Sequence, residues 1–169
     1  QVGLQRGFCG IGHDQALRRR VERTEDASVG IVTATGIQDG RQEAGQMTEL
    51  EIGGVVLVVD FRRTGDDRGP SVKVLGEIDG ERVQLLRFDC FDDDPHYHYA
   101  PNGVNRMFHL DRLTMGCPVA FTLEQLGLNA KSMIAAAGFE SFAEGVSQSA
   151  LSEGVSEVAA AVEAEAAAD

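Results

Sequence analysis

Asp79-Gly80 stands between two runs in which apolar and polar residues alternate, from Val72 to Ile78 before it and from Val83 to Cys90 after it. An Asp-Gly pair is a strong signal for a two-residue hairpin, because both central positions of a type I′ turn take positive φ. A period of two sends successive side chains to opposite faces, so each run offers one face to a core. These runs must fold back on each other as antiparallel strands. Upstream, Leu50, Ile52, Val55 to Val59 and Phe61 read as one long strand with a bulge or bend at Gly53-Gly54. Residues 62–70, rich in Gly and Asp and ending at Pro70, read as a polar loop. Downstream, Asp92-Asp93-Asp94-Pro95 breaks the pattern, and residues 96–100 and 104–113 extend again around Pro101-Asn102-Gly103 as a second hairpin.

After Gly116 the period becomes helical. Thr122 and Gln125 form a capping box, with Phe121 and Leu126 placed as a hydrophobic staple. Asn129 is placed to cap a further turn over 130–137 that Gly138 closes. Ser141 and Glu144 form a second box, opening an apolar stripe through Phe142, Val146, Ala150, Val155, Val158 and Val162. Gly145 and Gly154 weaken that stripe as a helix by about 1 kcal/mol each relative to Ala. The Ala/Glu-rich tail, 159–169, is expected to be frayed or solvated. Strands followed by helices predict an α+β domain over residues 47–158: an antiparallel meander plus a second hairpin, four or five strands in all, with two or three C-terminal helices packed on one face.

Residues 1–46 differ in character. They carry little periodicity beyond a helix expected at 14–23 and a strand at 29–34, and their charges balance. The net charge of −12 therefore arises entirely from Met47 onward. Met47-Thr48-Glu49-Leu50 looks like a natural chain start. Gln42-Glu43-Ala44 can be encoded with a bacterial ribosome-binding sequence just upstream of it. Residues 1–46 are thus either a translated leader or an N-terminal extension with its own strand and helix.

The charge also narrows the partners. A pI near 4.7 argues against nucleic acid and against an anionic membrane surface, since both need a cationic face. No uninterrupted apolar run exceeds five residues, the length of Val55 to Val59, which is too short to span a bilayer. Cys9, Cys90 and Cys117 are too few and too scattered for a disulfide framework or a zinc knuckle, which suggests a reducing, cytoplasmic setting.

The chemistry concentrates in Asp89-Cys90-Phe91-Asp92-Asp93-Asp94-Pro95-His96-Tyr97-His98-Tyr99. On a strand His96 and His98 share one face and Tyr97 and Tyr99 the other. Two imidazoles at that spacing can hold a divalent metal ion or share a proton. Their further partners depend on the hairpin register. A two-residue Asn102-Gly103 turn sets His96 opposite His109 and His98 opposite Met107, giving a metal cluster of His96, His98, His109 and Asp111. A three-residue turn with a Gly bulge, which Pro101 favours, sets His98 opposite Arg106 and His96 opposite Phe108. The cluster His96, His98 and Arg106 then suits an anion. Cys117, placed by Pro118 at a helix N-cap, is a further nucleophile candidate against the plainer reading of a buried apolar Cys. Cys90 reads as core.

The function expected from these residues is a non-catalytic binding or accessory-subunit protein with a ligand or ion site around the His-x-His hairpin. The alternative is a small hydrolase, metal-dependent or using a histidine as general base. The C-terminal stripe either covers the sheet or meets a second subunit, as in a homodimer or a complex with a protein partner.

Overall fold

The computed structural model describes residues 47–168. The leader-or-extension reading of residues 1–46, with its helix and strand, lies outside them. Six strands form one sheet in sequence order: β1 (Met47–Ile52), β2 (Val55–Thr64), β3 (Asp67–Ile78), β4 (Glu81–Asp89), β5 (His96–Tyr99) and β6 (Arg106–His109). All neighbours are antiparallel. Four helices follow: α1 (Arg112–Met115), α2 (Pro118–Ala136), α3 (Glu140–Glu144) and α4 (Gln148–Ala168). The expected α+β architecture holds, with more strands than expected.

The extra strand comes from Gly53-Gly54. Ile52 pairs with Val55, and the two glycines take φ of 63° and 87°, so they form a tight hairpin turn rather than a bulge in one long strand. The expected loop over 62–70 is also strand. Thr64 pairs with Asp67 around Gly65-Asp66, and Pro70 lies within β3, where its carbonyl accepts from the Cys90 amide at 2.8 Å. Asp79-Gly80 turns as expected, with Ile78 paired to Glu81 and φ of 53° and 81°.

The helices start where Pro118 and Ser147 dictate. Pro118 opens α2 one residue after Cys117, four residues before the expected capping box. Proline fits the first helical position because the amide it lacks would have no helical partner there. Thr122 is therefore inside the helix, buried, with its hydroxyl 3.2 Å from the Cys90 sulfur. Asn129 also lies within α2 and donates to Gln125 at 2.8 Å rather than capping a new turn. The Ser141 box falls in the short α3, and α4 begins after Ser147, whose hydroxyl accepts from the Ala150 amide.

From there α4 continues to Ala168, burying Val158, Ala161, Val162 and Glu165. The Glu165 carboxylate accepts from the Thr48 hydroxyl at 2.8 Å, which ties the stretch expected to fray to β1. Gly154, costly to an isolated helix, lets α4 approach the sheet: a Cβ there would stand 2.8 Å from the Ile52 side chain.

The core lies between α2, α4 and one sheet face. That face carries Val55, Leu57, Val59, Val72, Val74, Leu86 and Phe88, all buried. A register shift at Val74/Leu75 lets Leu85 enter the core as well. Tyr97 and Tyr99 extend this face onto β5. Tyr97 stacks on Phe88 at 5.8 Å and on Phe108 at 5.0 Å, and packs near Phe121 of α2. No helix of the described residues is long and apolar enough to cross a membrane.

Candidate metal centre on the face away from the helices

Because neighbouring residues alternate, the aromatic packing of Tyr97 and Tyr99 forces His96 and His98 to the opposite face. The strand pairings line up two rows there. Asp60, Ser71, Asp89, His96 and His109 are successive cross-strand partners, and so are Val58, Lys73, Arg87, His98 and Met107. Residues from β2 to β6, distant in the chain, thus meet on one surface.

The register of the second hairpin is the one that sets His96 opposite His109. It is not the bulged register that Pro101 favoured, nor is it made by a two-residue turn. Residues 100–105 form a six-residue connection in which the Ala100 carbonyl accepts from the amides of Gly103 and Asn105, each at 2.9 Å. The core decides it. The bulged register would turn Phe108 toward His96, whereas the observed one stacks it on Tyr97.

Asp89 is the centre of the site and is 1% exposed. Its Oδ1 accepts from Arg62 Nη1 at 2.9 Å and from the Ser71 hydroxyl at 2.8 Å. Its Oδ2 accepts from Arg87 Nε at 2.7 Å and stands 3.3 Å from His96 Nε2 and 3.4 Å from His98 Nε2. Burial pushes the carboxyl up. Arg87, the Ser71 hydrogen bond and Arg62 more than offset this and hold it below the ordinary value of 3.8.

Both imidazoles are oriented through Nδ1. His96 Nδ1 donates to the Asp94 carbonyl and His98 Nδ1 to Asn105 Oδ1, each at 2.7 Å. His98 Nε2 then accepts from Arg87 Nη2 at 2.8 Å. Burial, first, and the nearby Arg87 depress the basicity of His98 below the ordinary 6.5, against the hydrogen bond it donates to Asn105 and the charge of Asp89. Phe91 packs edge-on to His96 at 5.5 Å and lies under the Arg62 guanidinium, closing one side.

The loop that supplies Asp94 is itself clamped. Asp67 Oδ1 accepts from the amides of Arg68 and Asp93, and Oδ2 from the amide of Asp94. Burial is the largest single influence on the Asp67 carboxyl and raises it, but the amides together outweigh burial and hold it below the ordinary 3.8.

One donor atom each from Asp89, His96 and His98 lie within 4.8 Å of one another, as do donors from Asp94, His96 and His109 at the rim. His109 Nδ1 meets Asp94 Oδ1 at 2.7 Å, and both side chains are more than half exposed. The other expected residues stand elsewhere. Asp111 caps α1, accepting from the Leu113 amide at 2.8 Å. Arg106 is on the helix side, 5.4 Å from the Tyr99 ring centre and donating to the Ala136 carbonyl. Cys117 is the N-cap of α2 as expected, but its sulfur is disulfide-bonded and offers no free thiol. Cys90 is core, and burial pushes its thiol up to about 12.

Sequence reasoning placed Asp89 in the stretch without giving it a role, and missed Arg62, Ser71, Arg87 and Asn105. Parity offered a signal for two of them. Leu86 and Phe88 are apolar positions of an alternating strand, so Arg87 and Asp89 had to share the other face. Arg62 was hidden by reading its segment as a loop, and Asn105 by the turn.

Fold and site together define a small α+β domain whose six-stranded meander is covered by helices on one face and carries an Asp/His/Arg cluster on the other. The chain belongs to the family described as domain of unknown function DUF7700, whose profile matches residues 49–162. Comparison with curated proteins and with solved structures gives no match.

Proposed function

We propose that this domain is a non-catalytic metal-binding module, with a divalent transition-metal ion held by Asp89 Oδ2, His96 Nε2 and His98 Nε2. The carrying observation is the spacing of the donors. Two ligand atoms on one tetrahedral ion, each about 2 Å from it, stand about 3.3 Å apart. The Asp89 oxygen lies 3.3 and 3.4 Å from the two imidazole nitrogens. The outer partners agree with this use. A metal-binding imidazole commonly donates its other N–H to a carbonyl or side-chain oxygen, which fixes ring and tautomer. Asp94 and Asn105 supply those oxygens. Two imidazoles and a carboxylate suit zinc, nickel, cobalt or ferrous iron better than magnesium or calcium.

Binding is favoured over acid–base catalysis by the same hydrogen bonds. Both Nδ1 atoms are held by Asp94 and Asn105, and both Nε2 atoms converge on the buried Asp89 carboxylate, an arrangement that suits a shared ion better than proton transfer to a substrate. The test is elemental analysis of the full chain, purified without a metal-affinity tag and incubated with zinc or nickel before extensive dialysis. The expected result is about one ion per chain, lost in His96→Ala and in His98→Ala variants that remain folded. Absence of metal from the wild-type chain under these conditions would overturn the reading.

A further inference from the structure

The charges around Asp89 say more about the occupant, on the reading that this site takes a metal. Asp89 is one carboxylate facing two guanidinia, Arg62 and Arg87, at 2.9 and 2.7 Å. With both imidazoles neutral, as ligands must be, this inner cluster carries one net positive charge before any ion enters. A divalent cation brings it to three. Asp94 stands beyond the His96 ring, 3.8 Å from Nδ1, and including it still leaves two. A half-buried site with that excess is stable only with a counter-anion, because close like charges out of water repel strongly.

The position of Arg87 shows where the anion would attach. Its Nε stays on Asp89, while its Nη2 donates at 2.8 Å to His98 Nε2, the lone pair a metal needs. Metal and guanidinium cannot share that lone pair. When the metal takes it, Nη2 loses its acceptor and faces the ion's open coordination positions, because three protein donors leave at least one free. A planar guanidinium with freed N–H groups is well matched to an oxyanion.

We infer that the site binds a divalent metal ion together with an oxyanion, carboxylate or phosphate in type, and that Arg87 transfers its Nη2 hydrogen bond from His98 to that anion. Metal and anion then bind cooperatively, and by linkage each tightens the other by the same factor.

The test is titration of the full chain with Co2+, followed by its visible absorption, in chloride buffer and again with inorganic phosphate or acetate at matched ionic strength. The expected result is a Kd for Co2+ about tenfold lower with one of the anions present, within the usual range of coupling between linked sites. Which anion acts distinguishes a phosphate from a carboxylate ligand. In Arg87→Met, Co2+ alone should bind at least as tightly as in wild type, since the competing guanidinium is gone, while the anion effect should shrink to less than twofold. Arg87→Lys, which keeps a charge over Asp89 without the fork, guards against a fold defect and should also lose most of the anion effect.

Co2+ binding that neither anion changes would overturn the coupling while leaving the metal site intact. Phosphate binding equally well without metal would overturn it in favour of a pure anion site. Failure of Co2+ to bind with or without anion would overturn the metal reading itself.

Discussion

At the scale of single residues, the molecule turns on a buried carboxylate. Asp89 sits at 1% exposure because five groups converge on it: Arg62, Ser71 and Arg87 donate to it, and the imidazoles of His96 and His98 crowd its second oxygen. Removing one partner of a buried ionic cluster leaves the others desolvated and unpaired, which costs far more than the cluster contributes in net terms. Asp89→Ala should therefore lower the unfolding free energy by about 3 kcal/mol, measured by urea titration of metal-free protein. Asp94→Ala tests another kind of role. Its carboxylate is exposed and meets His109, whereas His96 is held by its backbone carbonyl. That variant should change stability by less than about 1 kcal/mol, as exposed ion pairs do, and leave metal stoichiometry at one. Loss of metal from Asp94→Ala would move the site to the rim, where Asp94, His96 and His109 meet.

At the scale of elements, the turns set the architecture. Gly53 and Gly80 each sit in a two-residue hairpin turn, at φ of 63° and 81°. A Cβ on Gly80 meets nothing within 4 Å, but one on Gly53 stands 2.7 Å from the Ser147 carbonyl oxygen, where α4 begins. Gly80→Ala should thus cost only the left-handed strain, about 1 kcal/mol, and Gly53→Ala at least about 1 kcal/mol more, as read from urea midpoints. Equal losses would mean that the β1–β2 turn does not support α4. This contrast also shows how far local sequence reaches. Asp79-Gly80 was legible because the signal is contained in the two residues. Gly53-Gly54 carries the same signal, but the unbroken apolar run after it imitated one long strand. The start of α2 was visible in Pro118, yet the capping box at Thr122 competed with it, and only packing against Cys90 shows that Thr122 belongs inside the helix. The site followed the same division. His96 and His98 were legible as a pair because strand parity is local. Their partners were not, since Arg62, Ser71 and Asn105 reach them through strand pairings and a six-residue connection that no local rule specifies.

At the scale of the whole molecule, one sheet has two faces of opposite chemistry, and its stability should depend on pH through both. On the polar face, Asp89 is held below its ordinary 3.8 and His98 below its ordinary 6.5. For each, the unfolded chain takes up a proton at a pH where the folded one does not. Their stabilisation is complete above the ordinary value and is lost as pH falls from there through the folded value. His98 acts first, just below 6.5, and Asp89 only below 3.8. On the apolar face the sign reverses. Cys90 is pushed from 9.0 up to about 12, so its contribution is complete below 9.0 and is lost as pH rises from there toward 12. The urea midpoint of chelator-treated protein should therefore be highest between about pH 7 and 9, falling on either side. Replacing His98 with Gln should flatten the acid limb just below pH 6.5, and replacing Cys90 with Ala should flatten the alkaline limb where it begins, above 9.0, each leaving the other limb in place. Tyr99, raised above its ordinary 10.0 by burial, adds to the fall at higher pH. An acid limb unchanged in the Gln variant would show that the neutral state of His98 contributes nothing to the fold. A saturating divalent ion makes the test sharper. A ligand that binds only the folded chain raises stability with its concentration, and protons compete for the same imidazole nitrogens. Added metal should therefore raise the midpoint near neutrality and steepen its fall below pH 6.5, and it should leave the alkaline limb, set by Cys90 and Tyr99 on the far side of the sheet, unsteepened.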